Sequence, residues 1–349
     1  MPFIQTASVT NIVPWTPPAN CPDKWVEESG LQRFQATLYD NTGYPFQVEI
    51  VANRPLKDFQ TASSIVSLFH GFLVDAASMA PLFEVYQDRP TYCDNILGPG
   101  SLFPDGFKIM PQNIIGMHAS IFEALAPEAQ HNAFIGNSMG VRFAIETDQV
   151  LQKVRSGIIN DLKLDCGMTD EVLQDKQNNR FCEARWRAPL HVLLSFLSRF
   201  SSKNLLNLGL APFTWGPLGK VLRHWLYRIL LNNPTPEQAD HMDQMILRQT
   251  PRGQQNPLQI AANMAVHLTT PESRFGNPES TWTQLRDGRP LRASGNVTVF
   301  WSPEDRVFDE LQAKKVAGQF VTRTRILSAT GPHLPDPQRA RLIRYSSRP

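Results

Sequence analysis

The pentapeptide at residues 136–140, GNSMG, constrains the fold of this 349-residue chain more than any other segment. Residues 131–135 form a short apolar stretch that predicts a buried strand, and residues 141–151 have an amphipathic pattern that predicts a helix. A serine on a sharp strand-to-helix turn needs flanking positions without side chains, because the neighbouring chain passes close to them. The two glycines therefore predict that Ser138 is a nucleophile on such a turn.

A nucleophilic serine needs a general base, and the C-terminal region offers one. Residues 323–327 are strand-like and lead into 328–332, where Gly and Pro favour a loop. This loop would carry His333 beyond the end of the strand, which is a suitable position for a base. Most other histidines lie in helical-looking stretches, where a lone His is usually structural, so we predict that His333 is the base.

The third member of such a triad is an acid that holds one tautomer of the base and stabilises its protonated form. Residues 296–301 are β-branched and aromatic, which predicts a strand, and the turn residues of 302–305 place Asp305 just past its end. Glu304 is adjacent to it, and Asp165 closes another predicted strand. We predict Asp305 as the acid, with Glu304 and Asp165 as the alternatives.

Backbone N–H groups must stabilise the oxyanion that forms on the substrate. The N–H of Met139 lies directly after the nucleophile, at the predicted start of the helix. Another strand is predicted at 64–69, and His70, Gly71 and Phe72 open the loop that follows it. We predict that the N–H groups of Phe72 and Met139 form an oxyanion hole and that His70 is a scaffold residue.

Five short segments occur along the chain in a fixed order: 70–72 (HGF), 98–101 (GPGS), 136–140 (GNSMG), 302–305 (SPED) and 331–333 (GPH). Their order and spacing resemble the α/β-hydrolase family, and the resemblance covers most of the chain. It implies an α/β fold with a mostly parallel, eight-stranded sheet that is flanked by helices, and a helical cap inserted after the sixth strand. It also implies a catalytic triad of Ser138, Asp305 and His333.

The chain divides into three predicted regions. Residues 1–30 are polar and rich in Pro, and we expect them to form an N-terminal surface extension. Residues 31–167 and 296–349 are predicted to form the hydrolase core, which begins with an antiparallel hairpin. No convincing strand is predicted within 168–295, so this segment is the expected helical cap or lid.

Composition narrows the classes of partner. The 34 basic and 32 acidic residues leave a formal charge of +2, which does not favour nucleic-acid binding. The four cysteines have neither metal nor redox spacing, and we expect them to be reduced. Neither a secretory signal nor a membrane span is evident, so we expect a soluble cytoplasmic protein. Basic residues of the cap more often face solvent than lipid, and we therefore do not expect membrane contact.

The predicted reaction is hydrolysis of a carboxylic ester, as in an esterase or lipase, through an acyl-enzyme intermediate and without a metal or organic cofactor. The same residues would also suit a thioesterase, lactonase, acyltransferase or carbon-carbon bond hydrolase, and a non-catalytic ligand-binding protein is the alternative from another class. Aromatic cap residues favour a small, hydrophobic ester-type substrate. The candidate pocket residues are His70, Gly71, Asn137, Phe196, Trp215 and Trp225.

Overall fold

A computed structural model describes residues 8–17, 25–39, 43, 45–71, 74–96, 98–103, 111–167, 216–231, 234–247, 289–305 and 307–346. Its centre is a nine-stranded sheet with the order β1-β2-β3-β5-β4-β6-β7-β8-β9. The first four strands in this order pair antiparallel, and all the others pair parallel. The strands are β1 (Ser8–Pro14), β2 (Gln32–Tyr39), β3 (Pro45–Ala52), β4 (Val66–Phe69), β5 (Thr91–Asn95), β6 (His131–Asn137), β7 (Ile159–Asp165), β8 (Val297–Trp301) and β9 (Thr324–Ser328).

The prediction of a mostly parallel α/β sheet is confirmed, but the predicted number of strands is too small by one. The additional strand is β1, which pairs antiparallel with β2 at the edge of the sheet. Val9 and Ile12 pack against the hydrophobic core, and Pro14 lies at the strand end, where a missing N–H is tolerated. Burial of these apolar side chains explains why part of the Pro-rich N-terminal segment adopts a strand.

Helices cover both faces of the sheet, so its central parallel strands are buried on both sides, whereas the edge strand β9 is largely exposed. The α4 and α5 helices pack on one face, and α1, α3 and α9 contribute buried residues to the other. A 3₁₀ helix at Ala76–Met79 precedes α3. The helices are α1 (Trp25–Glu28), α2 (Leu56–Gln60), α3 (Ala80–Val85), α4 (Pro111–Leu125), α5 (Gly140–Val154), α6 (Gly216–Leu231), α7 (Pro236–Leu247), α8 (Glu310–Gly318) and α9 (Pro337–Tyr345).

The α6 and α7 helices pack on loops at the carboxyl edge of the sheet rather than on its faces. Buried Tyr227 and Met242 form a small apolar cluster with Val74, after β4, and Leu334, after β9. Arg223 and Tyr227 both bond the Asp243 carboxylate, which ties the two helices together. These helices lie in sequence between β7 and β8, within the predicted cap.

Among the helices that the structure describes, none is long and apolar enough to cross a membrane.

Candidate active site

Ser138 lies on a sharp turn between β6 and α5. Its φ angle is 55°, a left-handed conformation that is unusual for a residue with a side chain. A Cβ atom on Gly136 would lie 2.5 Å from the carbonyl oxygen of Gly140, and one on Gly140 would lie 2.0 Å from the carbonyl oxygen of Phe69. Both contacts are too short for any residue other than Gly, so these glycines permit the strained turn.

His333 lies on the loop after β9, and its imidazole pairs with Asp305 after β8. The Nδ1–H group of His333 donates to Oδ2 of Asp305 over 2.9 Å, and both side chains are buried. Oδ1 of Asp305 accepts the N–H groups of Val307, at 2.7 Å, and Phe308, at 3.1 Å. This leaves the other imidazole nitrogen, Nε2, free of the carboxylate, as a general base requires.

The electrostatics of Asp305 favour its ionised form. Burial alone would raise the pKa of this carboxyl, but the charge and hydrogen bond of His333, the N–H of Val307 and the thiol of Cys166 outweigh burial. The pKa of Asp305 is therefore held below its ordinary value. An ionised carboxylate beside the imidazole stabilises the imidazolium that forms when the base takes a proton.

The two alternative acids, Asp165 and Glu304, have other hydrogen-bond partners. Oδ2 of Asp165 accepts from Nδ2 of Asn137 at 3.0 Å, and Oδ1 lies 3.6 Å from Nη1 of Arg339. Burial raises the pKa of Asp165 despite these partners. Glu304 accepts the N–H of Gly331 over 3.2 Å. Asp305 is therefore the acid whose carboxylate pairs with the His333 imidazole, while Asp165 and Glu304 brace the surrounding loops.

Asn137 connects the serine turn to the loop of the base. Its Nδ2 donates to the carbonyl oxygen of His333 over 3.0 Å, in addition to its bond with Asp165. The N–H of Ser138 itself donates to the carbonyl oxygen of Asp165 over 3.0 Å. These buried bonds place the backbone of His333 next to the residue that precedes Ser138.

The segment after β4 reaches the other side of Ser138. A Cβ atom on Gly71 would lie only 3.0 Å from the Cβ of Ser138. Met139 occupies the N-cap position of α5, where the first N–H groups have no acceptor within the helix. Phe72, the other predicted oxyanion donor, lies outside the described residues. Gly71 and Met139 therefore both lie close to Ser138, and the oxyanion hole of Phe72 and Met139 stays a prediction.

His70 is buried and electrically neutral near neutral pH. Its Nδ1–H donates to the carbonyl oxygen of Gly71 over 2.9 Å. Burial lowers the pKa of His70 to about 4, against the raising effect of this bond. The imidazole therefore fixes the loop before the predicted oxyanion donor without adding a charge.

The remaining predicted pocket residues belong to the predicted cap. Trp225 lies on α6 with 53% of its surface exposed, and Phe196 and Trp215 lie outside the described residues. Tyr227, on the same helix as Trp225, is the aromatic residue that packs toward Val74 and Leu334. The helical spacing in the sequence did not distinguish these two faces of α6.

Sequence reasoning also missed two buried residues beside the triad. Arg339, at the start of α9, donates to the carbonyl oxygens of the His333 loop and to Cys166. Cys166 directly follows Asp165, has a positive φ of 46° and hydrogen-bonds to Asp305. No local pattern marks either residue, because α9 contains several arginines and the other partners lie far away in sequence.

Several solved structures with a similar architecture are distant in sequence. An esterase from Thermogutta terrifontis is 17% identical, with 90% of this chain and 96% of that chain covered and a TM-score of 0.55. A probable hydrolytic enzyme from Pseudomonas aeruginosa PAO1 is 14% identical, with 89% and 91% coverage and a TM-score of 0.57. Naproxen esterase from Bacillus subtilis is 13% identical, with 92% and 95% coverage and a TM-score of 0.50.

Searches with protein-family models and against curated proteins find no match to this sequence. The strand order, the serine turn and the structural similarities together define the α/β-hydrolase fold. At such low identity this similarity extends to the fold alone, and the chemistry has to be argued from this chain's own residues.

Proposed function

We propose that this protein is a serine hydrolase that cleaves carboxylic esters with Ser138 as nucleophile, His333 as base and Asp305 as acid. The observation that carries the proposal is the buried hydrogen bond between Asp305 and His333, whose own carbonyl is bonded to the neighbour of a strained, buried serine. Activation of a serine hydroxyl requires this combination of a base and an acid that orients it.

In the proposed reaction, Nε2 of His333 removes the proton of the Ser138 hydroxyl as its oxygen attacks the ester carbonyl carbon. The negative charge that develops on the carbonyl oxygen is stabilised by the N–H groups of Met139 and Phe72. The imidazolium then donates its proton to the departing alcohol, which leaves an acyl-enzyme. A water molecule, deprotonated by His333, attacks the acyl carbon, and protonation of Ser138 releases the carboxylic acid.

We further propose that residues 168–295 form a cap and that the substrate is fairly hydrophobic. Tyr227 and Met242 pack against Leu334, the residue after the base, and against Val74 near the predicted oxyanion loop. An apolar cluster at this position favours an apolar acyl or alcohol group next to the reacting ester.

A fluorophosphonate probe tests the nucleophile without a guess about the substrate. We expect the purified protein to gain the mass of one phosphonyl adduct, and Ser138→Ala to gain none. Ser101→Ala is the matched control, because Ser101 is a buried serine that donates to Asn95 within another network. It should be labelled like the wild type.

A screen of 4-nitrophenyl esters with short and long acyl chains, alongside thioesters, would then define the substrate. Folded wild-type protein that takes no adduct and hydrolyses no ester would contradict the proposal. Saturable binding of an ester without turnover would instead favour a ligand-binding protein.

A further inference from the structure

We infer that Arg339 is a positioning residue of the active site, which holds the loop of the base His333 in register with the serine turn. The inference rests on the proposed function, because it concerns how His333 is held against Ser138. Arg339 is fully buried and lies in the first turn of α9, where Asp336 caps the helix by accepting the Arg339 N–H over 2.8 Å. This cap fixes the backbone from which the guanidinium extends.

The guanidinium of Arg339 donates hydrogen bonds to carbonyl oxygens of the loop that carries the base. Nη2 donates to Gly331 over 2.8 Å and to Thr330 over 3.3 Å, and Nη1 reaches the carbonyl of His333 at 3.5 Å. Three carbonyl groups within four residues of the loop therefore point at one side chain. The rigid fork of an arginine can span them, whereas the single ammonium of a lysine cannot.

The same guanidinium also contacts the end of β7 and the residue that follows it. Its Nη1 donates to Sγ of Cys166 over 3.0 Å and lies 3.6 Å from Oδ1 of Asp165. Asp165 in turn accepts from Asn137, which also donates to the His333 carbonyl. The network is thus closed: Arg339 and Asn137 both bind the base loop, and both bind Asp165.

The Arg339 guanidinium needs both an anionic partner and hydrogen-bond acceptors, because a buried charge without them is strongly unfavourable. Burial alone would lower the pKa of Arg339, but the negative charge of Asp165 and further neighbours outweigh it, so the guanidinium stays charged. Loss of Arg339 would leave the Asp165 carboxyl without its cation and three carbonyl groups of the loop without their shared donor. Displacement of His333 by a fraction of an ångström is then expected to slow proton transfer.

The test compares Arg339→Met with Arg344→Met in the full chain. Arg344 lies on the same helix but pairs with Asp88 on the far side, away from the loop of the base. Loss of either arginine should destabilise α9. We expect Arg339→Met alone to slow phosphonylation of Ser138 and to lower kcat by about 10- to 100-fold, with KM changed less than about threefold. Arg344→Met should label within about twofold of the wild type.

The split between kcat and KM separates positioning from general stability. A displaced imidazole slows proton transfer without altering the substrate pocket, so kcat should fall in Arg339→Met while KM changes little. In Arg344→Met neither constant should change by more than about twofold.

Two further variants keep the inference testable if Arg339→Met does not fold. Arg339→Lys preserves a cation beside Asp165 but cannot span the carbonyls, and it should still label more slowly than the wild type. Asp165→Asn combined with Arg339→Met removes both charges, and it should regain thermal stability over the single variant without regaining the labelling rate.

The outcomes distinguish this inference from the proposed function. If wild-type Ser138 is not labelled, both fail together. If the wild type is labelled and folded Arg339→Met or Arg339→Lys matches it in labelling rate and kcat, only the positioning role of Arg339 is overturned.

Discussion

The Asp305–His333 pair can be compared with a second buried pair, in which Nδ1 of His118 donates to Oδ2 of Asp94 over 2.7 Å. The distances and burial of these pairs are similar. Their positions differ: Asp94 lies in β5 and His118 in α4, whereas Asp305 and His333 lie on loops that follow β8 and β9. The His118 ring packs edge-on against Phe69, with ring centroids 4.9 Å apart.

The carboxylates also differ in their second oxygen. Oδ1 of Asp305 accepts two backbone N–H groups, whereas Oδ1 of Asp94 has no hydrogen-bond partner within the described part of the chain. The charge and hydrogen bond of His333 are the largest effects that lower the pKa of Asp305, and the N–H of Val307 adds to them, whereas burial raises the pKa of Asp94 against the effect of His118. The two pairs therefore differ in the environment of the acid. We propose that only the Asp305–His333 pair, whose loop is bound to the serine turn, is catalytic.

The largest expected difference between the pairs lies in their histidines. His333→Asn should lower kcat by about 10⁴-fold or more, because the base is lost. His118→Asn should keep kcat within about threefold, although loss of a buried hydrogen bond should lower the free energy of unfolding by about 1–3 kcal/mol. Steady-state ester hydrolysis and urea unfolding of both variants would measure this. Equal losses of kcat would erase the distinction drawn between the pairs.

The acids should differ by nearly as much. Asp305→Asn should lower kcat by about 10³- to 10⁴-fold, since the amide cannot stabilise the imidazolium and favours the wrong tautomer. Asp94→Asn should change kcat by less than about threefold. The measurement is kcat with the best ester found in the screen. If Asp165→Asn abolished activity while Asp305→Asn did not, Asp165 would be the acid.

A smaller effect is expected at Cys166, whose thiol hydrogen-bonds to Asp305. Burial raises the pKa of this thiol well above its usual value, so it stays protonated and can donate. Cys166→Ala should lower kcat by about 10- to 100-fold, the size of one hydrogen bond to a charged group. Cys166→Ser should recover most of the loss. Cys93→Ala, at another buried thiol, is the control and should leave kcat unchanged.

The pH dependence of stability should have opposite sign for the two acids. A lowered folded-state pKa means that the Asp305 carboxylate stabilises the fold above about pH 4, the unfolded value, and that this contribution disappears as the pH falls through the folded value. The stability advantage of wild type over Asp305→Asn should thus shrink in acid.

The raised pKa of Asp94 gives the opposite pH dependence of stability. Its folded form binds the proton more tightly, so ionisation costs stability as the pH rises above about 4. Asp94→Asn should therefore gain stability relative to wild type between pH 4 and pH 7. Urea unfolding at each pH measures both trends, and parallel trends would show that the two acids share one electrostatic environment.

Most of the core could be predicted from local patterns. The alternating hairpin at 34–51 and the strand, turn and helix around Ser138 follow from hydrophobic periodicity and glycine placement. The β1 strand was missed because its pairing depends on two apolar side chains that pack on a distant core. Phe196, Trp215 and Phe72 lie outside the described residues, so their roles stay predictions.

Local sequence favoured Asp305 as the acid but left Asp165 and Glu304 as alternatives. Asp165 and Asp305 both end strands, and β7 and β8 are neighbours in the sheet. The position of β9 beside β8 brings the loop of His333 to Asp305. The Asp165 carboxylate instead binds Asn137 and Arg339. The pairing is therefore a property of strand order.

By itself, the sequence determined the α/β class, the serine turn and the order of the candidate triad along the chain, because each depends on periodicity or on a residue that only one backbone geometry accepts. The tertiary structure alone decided which carboxylate pairs with the His333 imidazole, which side chains bind the loop of His333 and which arginine of α9 is fully buried. Those properties depend on burial and on donors far apart in sequence, such as Arg339 and Cys166, which come together only when the sheet and its last helix have packed.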